Sequence, residues 1–415
     1  MSMVAKANAA CKYTNQLALN RFKQMMALNS DSSMGISDPQ CTSKPVVAHI
    51  ELNCSEPVTQ QLDCQLKTLQ ITVLLAPSGT GKSSLFNAIA GVAPASGGLK
   101  VTGQQQLGMP AHKRRIAYVT QSPLLFDHLS IAALLKLVAK QQAQPFDISW
   151  AIDPLGLTDK LVYRAHQLSG GQCQRVALLL AMIKGAPLLL LDEVLTGLDQ
   201  LNKQACIGVI KDYLCKVQGA ALLACHQLDD VLALADSCLL QHTINNSTQW
   251  QMFPVDEGVE RYQQQLLESQ SSENIQGSQF TSMFYGQVHA HFPALGLTEY
   301  HVGGQRCFAA YNSEHQIGRL QPLILKANRL GLSKIALPES SFVNQLKVRI
   351  TAFYPVNMGK EQGMLVKVRL ANSEQDGVHK PASLHVWITR LSFNQLQPKL
   401  DETWFLIGKA DALHG

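Results

Sequence analysis

The pattern of this sequence predicts an α/β domain built on a mostly parallel sheet, followed by a small all-β domain. Three observations carry that prediction. Between Val46 and about His242, strand-like and helix-like segments alternate, as parallel strands joined by covering helices do. The run Leu188-Leu-Leu-Leu191 is apolar throughout, as a strand buried on both faces requires. Beyond about residue 280, short period-two segments separated by turn residues replace the alternation.

In chain order, residues 1–45 read as a flexible extension. Its first 30 residues carry Lys6, Lys12, Arg21 and Lys23 and no acidic residue. Leu19, Phe22 and Met26 have the spacing of a short amphipathic helix, but no continuous apolar run marks a secretory signal. Ser30 to Pro45 is rich in Ser, Asp and Pro, as a linker is. Val46–Leu52 and Leu66–Leu75 read as strands, and the α/β domain is expected over 46–263. Residues 264–279, including Glu268-Ser-Gln-Ser-Ser-Glu-Asn, are polar and read as the domain linker. The β domain then occupies 280–415. Its alternations are Leu346, Val348 and Ile350; Met364, Val366, Val368 and Leu370; and Leu384, Val386 and Ile388. Two small β units, about 280–338 and 340–412, are expected within it.

Bulk properties bound the function. The 415 residues correspond to two to three domains at roughly 100–200 residues each. With 46% hydrophobic and 16% charged residues, the chain has enough apolar material for a folded core. A net charge of +5 is small for this length and argues against a nucleic-acid partner. The ten cysteines are scattered without a CxxC pair, which argues against a disulfide scaffold or zinc site and fits a reducing compartment. The most apolar stretch, Val176–Leu191, is interrupted by Lys184, Gly185 and Pro187, so no membrane span is expected.

Three motifs carry chemistry. Ala76-Pro-Ser-Gly-Thr-Gly-Lys-Ser-Ser84 lies between the apolar strand Ile71–Leu75 and the helical Leu85–Ala90. In that context backbone amides and a helix N-terminus wrap phosphate, and Gly79 and Gly81 let the backbone approach. Ser78, Thr80 and Ser84 complete the loop, Lys82 neutralises phosphate oxygens, and the Ser83 hydroxyl takes a Mg2+ position. Ala76 replaces the usual first Gly; a positive φ there costs of order 1 kcal/mol. In the second motif, Asp192 and Glu193 end the leucine strand, Asp192 serving the metal and Glu193 polarising the attacking water. The third is Leu168-Ser-Gly-Gly-Gln-Cys-Gln-Arg175, where Ser169 and the Gly170 and Gly171 amides form an anion site at a helix start.

With Gln172 completing LSGGQ, this third motif resembles the signature of the ATP-binding-cassette family, within the P-loop NTPase fold. The resemblance implies an α/β cassette with helices on both sheet faces, an antiparallel β subdomain at its N-terminal side, and ATP and Mg2+ as ligands. It implies that the signature of one subunit caps the γ-phosphate held by its partner. Tyr118-Val-Thr-Gln121 resembles the Q-loop, so Gln121 contacts metal and water. Thr196-Gly-Leu-Asp199 resembles the D-loop, and Cys225-His226 the switch histidine. Two departures stand out: Val194 replaces the usual Pro, and no Phe, Tyr or Trp between Lys23 and Ser84 is available to stack on adenine.

A single cassette without a span implies a subunit that homodimerises, or pairs with a second cassette, and docks on a separate membrane permease at the cytoplasmic face of the inner membrane. A periplasmic substrate-binding protein is then an indirect partner. Ser122–Gln167 is the expected docking segment, with Leu124, Leu125 and Phe126 at its start. The C-terminal region resembles the OB-like regulatory domain of molybdate-importer ATPases through Ser341-Phe-Val-Asn344, Ile388-Thr389, Leu396 and Gly408-Lys-Ala-Asp411. That resemblance makes molybdate the leading cargo and Ser341, Asn344, Thr389 and Lys409 candidate oxyanion contacts. Sulfate, ferric-iron, polyamine and sugar importers stay open, as does a non-transport or degenerate cassette.

Overall fold

The computed structural model describes residues 44–54, 59–77, 79–225, 227–244, 247–268, 280–337, 340–358, 361–371 and 383–414. Residues 1–43 of the expected extension lie outside them, as do Ser78 and His226. The chain divides into two compact units, residues 1–226 with 234–254, and residues 227–233 with 255–415.

The first unit begins with β1 (Val46–Cys54) and β2 (Gln60–Lys67), paired antiparallel. On β2 the positions Gln60, Leu62, Cys64 and Leu66 are buried and alternate with exposed ones, the period of a strand with one covered face. β3 (Ile71–Leu75) is buried at every position. The strand expected over Leu66–Leu75 is therefore two strands. A turn separates them, closed by Gln70 N donating to Lys67 O (3.1 Å) and carrying Leu69 at φ 60. The turn lets the chain leave an antiparallel neighbour and enter a parallel one.

Next come α1 (Lys82–Ala90), β4 (Ser96–Val101), β5 (Gln104–Gln105), β6 (Ile116–Val119), α2 (Ile131–Lys140) and α3 (Ser149–Ile152). They are followed by α4 (Gly170–Met182), β7 (Leu188–Asp192), α5 (Gln200–Val217) and β8 (Ala220–Ala224). α6 (Leu228–Leu234) follows in the chain, with residues 228–233 in the second unit, and β9 (Ser237–Ile244) and β10 (Ser247–Pro254) complete the first. All ten strands form one sheet in the order β5-β4-β1-β2-β10-β9-β3-β8-β7-β6. The run β9-β3-β8-β7-β6 is parallel, and β5-β4-β1-β2 is antiparallel. The leucines of β7 and the Ala-Leu residues of β8 are fully covered, as central parallel strands must be.

In the second unit α7 (Val255–Glu268) includes residues 264–268, which the sequence reading had placed in the linker. β11 (Thr281–Phe292), β12 (Leu297–Val302), β13 (Gln305–Ala310) and β14 (Leu320–Lys326) follow. Then come β15 (Leu330–Ser333), β16 (Asn344–Met358), β17 (Glu361–Leu370), β18 (Ser383–Thr389), α8 (Arg390–Leu396), β19 (Thr403–Gly408) and β20 (Leu413–His414). They make two five-stranded sheets, β13-β12-β11-β14-β20 and β15-β19-β16-β17-β18. The two expected β units are thus interlaced. β15 precedes residue 338 but pairs with β19, and the C-terminal β20 returns to β14. One apolar cluster joins both sheets through Phe284, Val288, Tyr300, Val348, Val386 and Trp404.

Among the described residues no helix is long and apolar enough to cross a membrane.

Candidate functional site

The parallel strands end together. Leu74 of β3 and Asp192 of β7 each lie opposite Ala224 of β8, and Val119 of β6 lies opposite Leu191. The loops after β3, β6, β7 and β8 therefore leave one edge of the sheet, where α/β folds place ligand crevices.

The loop after β3 turns into α1 through Gly79 (φ 77) and Gly81 (φ 91). Gly81 is the N-terminal flanking residue of α1. A Cβ at Gly81 would stand 2.2 Å from Nε2 of Gln60, so both space and φ demand glycine. Ala76 does not adopt positive φ; it is buried at 2% exposure within the core cluster. The strain considered for an alanine at this position is absent. Lys82 is buried, and its ammonium donates to Ala76 O (2.8 Å) and Pro77 O (2.9 Å). Burial lowers its pKa, opposed by the nearby carboxylates of Glu193 and Asp192. The Thr80 hydroxyl closes the loop on Pro77 O (2.8 Å). Ser83 is exposed and Ser84 half-buried on the first turn of α1.

Asp192 is 3% exposed. Burial pushes its carboxyl pKa up, a Ser83 hydrogen bond opposes this, and the Glu193 charge adds to it. The Tyr118 hydroxyl points at Asp192 Oδ2 from 3.5 Å. Glu193 takes the left-handed backbone conformation at φ 52, with its amide donating to Ala224 O (3.1 Å). A non-glycine residue held there is uncommon and concentrates at functional positions. The Gln121 amide donates to Glu193 Oε2 at 2.7 Å. The structure thus brings together Lys82, Ser83, Asp192, Glu193 and Gln121, drawn from three separate sequence motifs.

Ser169 caps α4. Its hydroxyl accepts from Gln172 N (3.3 Å), and Gln172 Oε1 accepts from Ser169 N (2.9 Å), a reciprocal capping box. Gly170 has open space around its missing Cβ, whereas a Cβ on Gly171 would meet Leu198 at 2.8 Å. Arg175 anchors the helix through Leu155 O (2.8 Å) and Gly171 O (3.3 Å). Asp199 caps α5 by accepting from Asn202 N at 2.9 Å. Cys225, beside the undescribed His226, is buried.

The four C-terminal candidates do not form one cluster: Asn344 lies beside Lys409, whereas Thr389 stands apart from both. Asn344 is buried and spends its amide on Phe308 N (2.6 Å), Phe308 O (2.8 Å) and Lys409 O (3.1 Å). The Thr389 hydroxyl caps α8, accepting from Ser392 N (3.1 Å). Thr389 pairs with Gly363, and Gly363 with Val356, at the far end of β16 from Asn344. Ser341 and Lys409 are exposed. An Asn and a Thr already committed to cross-linking and capping explain that fragment of sequence without a ligand.

Gln60 escaped the sequence reading. It is fully buried, donates to Gly81 O (3.1 Å) and accepts from Trp250 Nε1 (3.1 Å). The signal was present: a glutamine occupies the covered side of an otherwise apolar alternation on β2. Tyr118 carries no local signal of its role, and its bearing on Asp192 needs the β6–β7 pairing.

Chemically, this edge joins a glycine loop at a helix start, a buried lysine, a hydroxyl beside a carboxylate, and a second carboxylate held by an amide. Such a set can take a phosphate chain and polarise water. A family profile described as ABC transporter matches residues 59–196. The chain is 34% identical over 184 residues to the thiamine import ATP-binding protein ThiQ of Vibrio cholerae serotype O1, covering 42% of this chain and 76% of that protein. It is 29% identical over 319 residues to the molybdenum import ATP-binding protein ModC of Pseudomonas syringae pv. tomato, covering 74% and 84%. With ModC of Rhodobacter capsulatus it shares 29% identity over 339 residues, covering 79% and 86%. The chain belongs to the ATP-binding subunits of the ABC transporter family and is an ABC-type ATPase of the importer kind.

Proposed function

We propose that this ATPase energises molybdate import through a separate membrane permease, working as a homodimer at the cytoplasmic face of the membrane. The observation that carries the cargo is the reach of the relatives. The ModC proteins align over 74% and 79% of this chain, so the similarity extends past the cassette into the β-rich unit. ThiQ is more nearly identical but covers 42%, a length the cassette alone accounts for. Thiamine is therefore the second reading. Uptake of molybdate and of thiamine, measured in cells lacking their own ATPase subunit and carrying this one, separates them. Restored molybdate uptake with no thiamine uptake supports the first reading, and the reverse overturns it.

The geometry supports the following hydrolytic roles. Lys82, with the amides of Gly79, Thr80 and Gly81, holds the phosphate chain. Ser83 and Asp192 offer a hydroxyl and the carboxylate that accepts from it, the hard oxygen ligands that Mg2+ takes. When bound, Mg2+ supplies charge neutralisation of phosphate oxygens. Glu193 is the general base. Its Oε2 accepts from the Gln121 amide, which fixes the orientation of the carboxylate that polarises the attacking water. His226, which follows Cys225 in the sequence, senses the γ-phosphate. Ser169, Gly170 and Gly171 complete the partner's site across the dimer, with Asp199 at the crossing. Leu124 and Phe126, 98% and 54% exposed, form the start of the permease-docking surface.

A further inference from the structure

The second unit carries a cluster that nucleotide chemistry does not use. β11 and β12 pair antiparallel, with a register shift between Val288 and Ala290. His289 is the extra residue of this β-bulge, so His289 and Ala290 together span the interval opposite Glu299. Glu299 and His301, two apart on β12, share the face turned away from the core. Val288, Tyr300 and Val302 take the core face and are buried in its apolar cluster. The bulge thereby adds a second imidazole beside His301. The two rings stack with centroids 4.1 Å apart and planes at 12°.

Candidate donor atoms of His289, Glu299 and His301 all lie within 4.8 Å of one another. His301 Nε2 stands 3.3 Å from Glu299 Oε1. In a tetrahedral site with bonds of about 2.0–2.2 Å, adjacent donors are separated by ~3.4 Å. This edge of the triangle is already at that length. Glu299 is an unusual surface-side residue: its side chain is 5% exposed, and the same Oε1 accepts from Arg306 Nε at 2.6 Å. Arg306 is itself 66% exposed and extends over Phe308. A buried carboxylate needs a counter-charge, and here that charge sits on a long side chain free to swing into solvent.

We propose that His289, Glu299 and His301 form a binding site for a late first-row divalent cation of the Zn2+ class, with Arg306 as the counter-ion the cation displaces. Two imidazoles and one carboxylate are the donors such ions prefer over Mg2+ or Ca2+. Three protein donors also leave a coordination position open for water or an anion.

The test uses the full-length chain, stripped with chelator and titrated with Zn2+ by calorimetry and with Co2+ by visible absorption. The wild type is expected to bind one equivalent more tightly, by at least tenfold, than His289→Ala or the His289→Ala/His301→Ala double variant. Co2+ at that site gives d–d bands without thiolate charge-transfer absorption. Arg306→Ala is expected to tighten binding several-fold, because the competing cation is gone. His289 is exposed, so His289→Ala is not expected to unfold the unit, and circular dichroism checks this. Equal stoichiometry and affinity in wild type and both histidine variants overturn the proposal. So does a Co2+ spectrum of thiolate type, and an Arg306→Ala affinity unchanged or weakened refutes the displacement.

Discussion

Gln60→Leu is expected to damage the phosphate loop from behind, without touching any residue that faces the nucleotide. The side chain is fully buried and bridges Trp250 Nε1 to the Gly81 carbonyl. Leucine fills similar volume but satisfies neither group. Each buried polar group left without a partner costs about 1–3 kcal/mol. Trp250 is 4% exposed, so its indole N–H bears the full cost. The Gly81 carbonyl keeps its bond from Leu85 N (3.0 Å) and loses one of two donors, at a cost of about 0.5–1.5 kcal/mol. The sum is about 2–4 kcal/mol. Trp250→Phe alone removes one of the two bonds and costs about 1–2 kcal/mol. In the double variant that bond is lost only once, so the cycle is expected to show about 1–2 kcal/mol of coupling. Amide exchange of β2, β3 and β10 reads the first unit by itself, and calorimetry reads nucleotide Kd. With the Gly81 tie removed, Kd is expected to rise about fivefold, equivalent to ~1 kcal/mol. Additive variants together with an unchanged Kd would refute the argument.

Further outcomes follow from other elements. His385 lies in the core of the second unit with Ser282 Oγ accepting from its amide at 3.0 Å. Burial, aided by Lys367, lowers its pKa to about 4. Above the unfolded value of about 6.5 neither state holds the proton; below it the unfolded chain takes a proton the folded unit refuses. Stability of the second unit should therefore fall by about 3 kcal/mol between pH 6.5 and pH 4, and His385→Phe should flatten the urea midpoint across that range. Ser169→Ala removes the α4 cap at a cost of about 1 kcal/mol; phosphate release should fall more than tenfold while nucleotide Kd of the isolated chain stays within twofold. Leu124→Glu, at a side chain 98% exposed, should leave intrinsic phosphate release unchanged and abolish its stimulation by reconstituted permease.

Much of the first unit was legible because its motifs combine local sequence with local geometry. Leu188–Leu191 is apolar and continuous, and it is a fully covered parallel strand. Ser169 and Gln172 have capping-box spacing, and they form one. The break inside Leu66–Leu75 was not legible, since Thr68-Leu-Gln70 carries no Gly or Pro; the turn is imposed by the exchange of sheet neighbours, including Leu69 N donating to Gly219 O (2.7 Å). The left-handed Glu193 was hidden for a related reason. A glutamate at φ 52 is held by its tertiary setting, between Ala224 on β8 and the turn to Thr196. The interlacing of β15 and β20 depends on pairings of residues 78 apart (Leu330 with Gly408) and 90 apart (Ile324 with His414), which no local pattern encodes. Among the C-terminal oxyanion candidates, the cross-links of Asn344 and the cap of Thr389 were not legible, because the same short sequence suits a cap, a cross-link or a ligand contact.

The most direct test of the central claim is Mg2+-dependent phosphate release by the full chain beside Glu193→Gln. The substitution keeps a carbonyl oxygen able to accept from Gln121, so the site geometry survives while the base is lost. The expected result is release by the wild type, and in the variant retained ATP binding, a trapped ATP-bound dimer and release reduced at least a hundredfold. Equal turnover by the two proteins would contradict the assignment of Glu193 as the base and, with it, the account of this strand edge as the hydrolytic site.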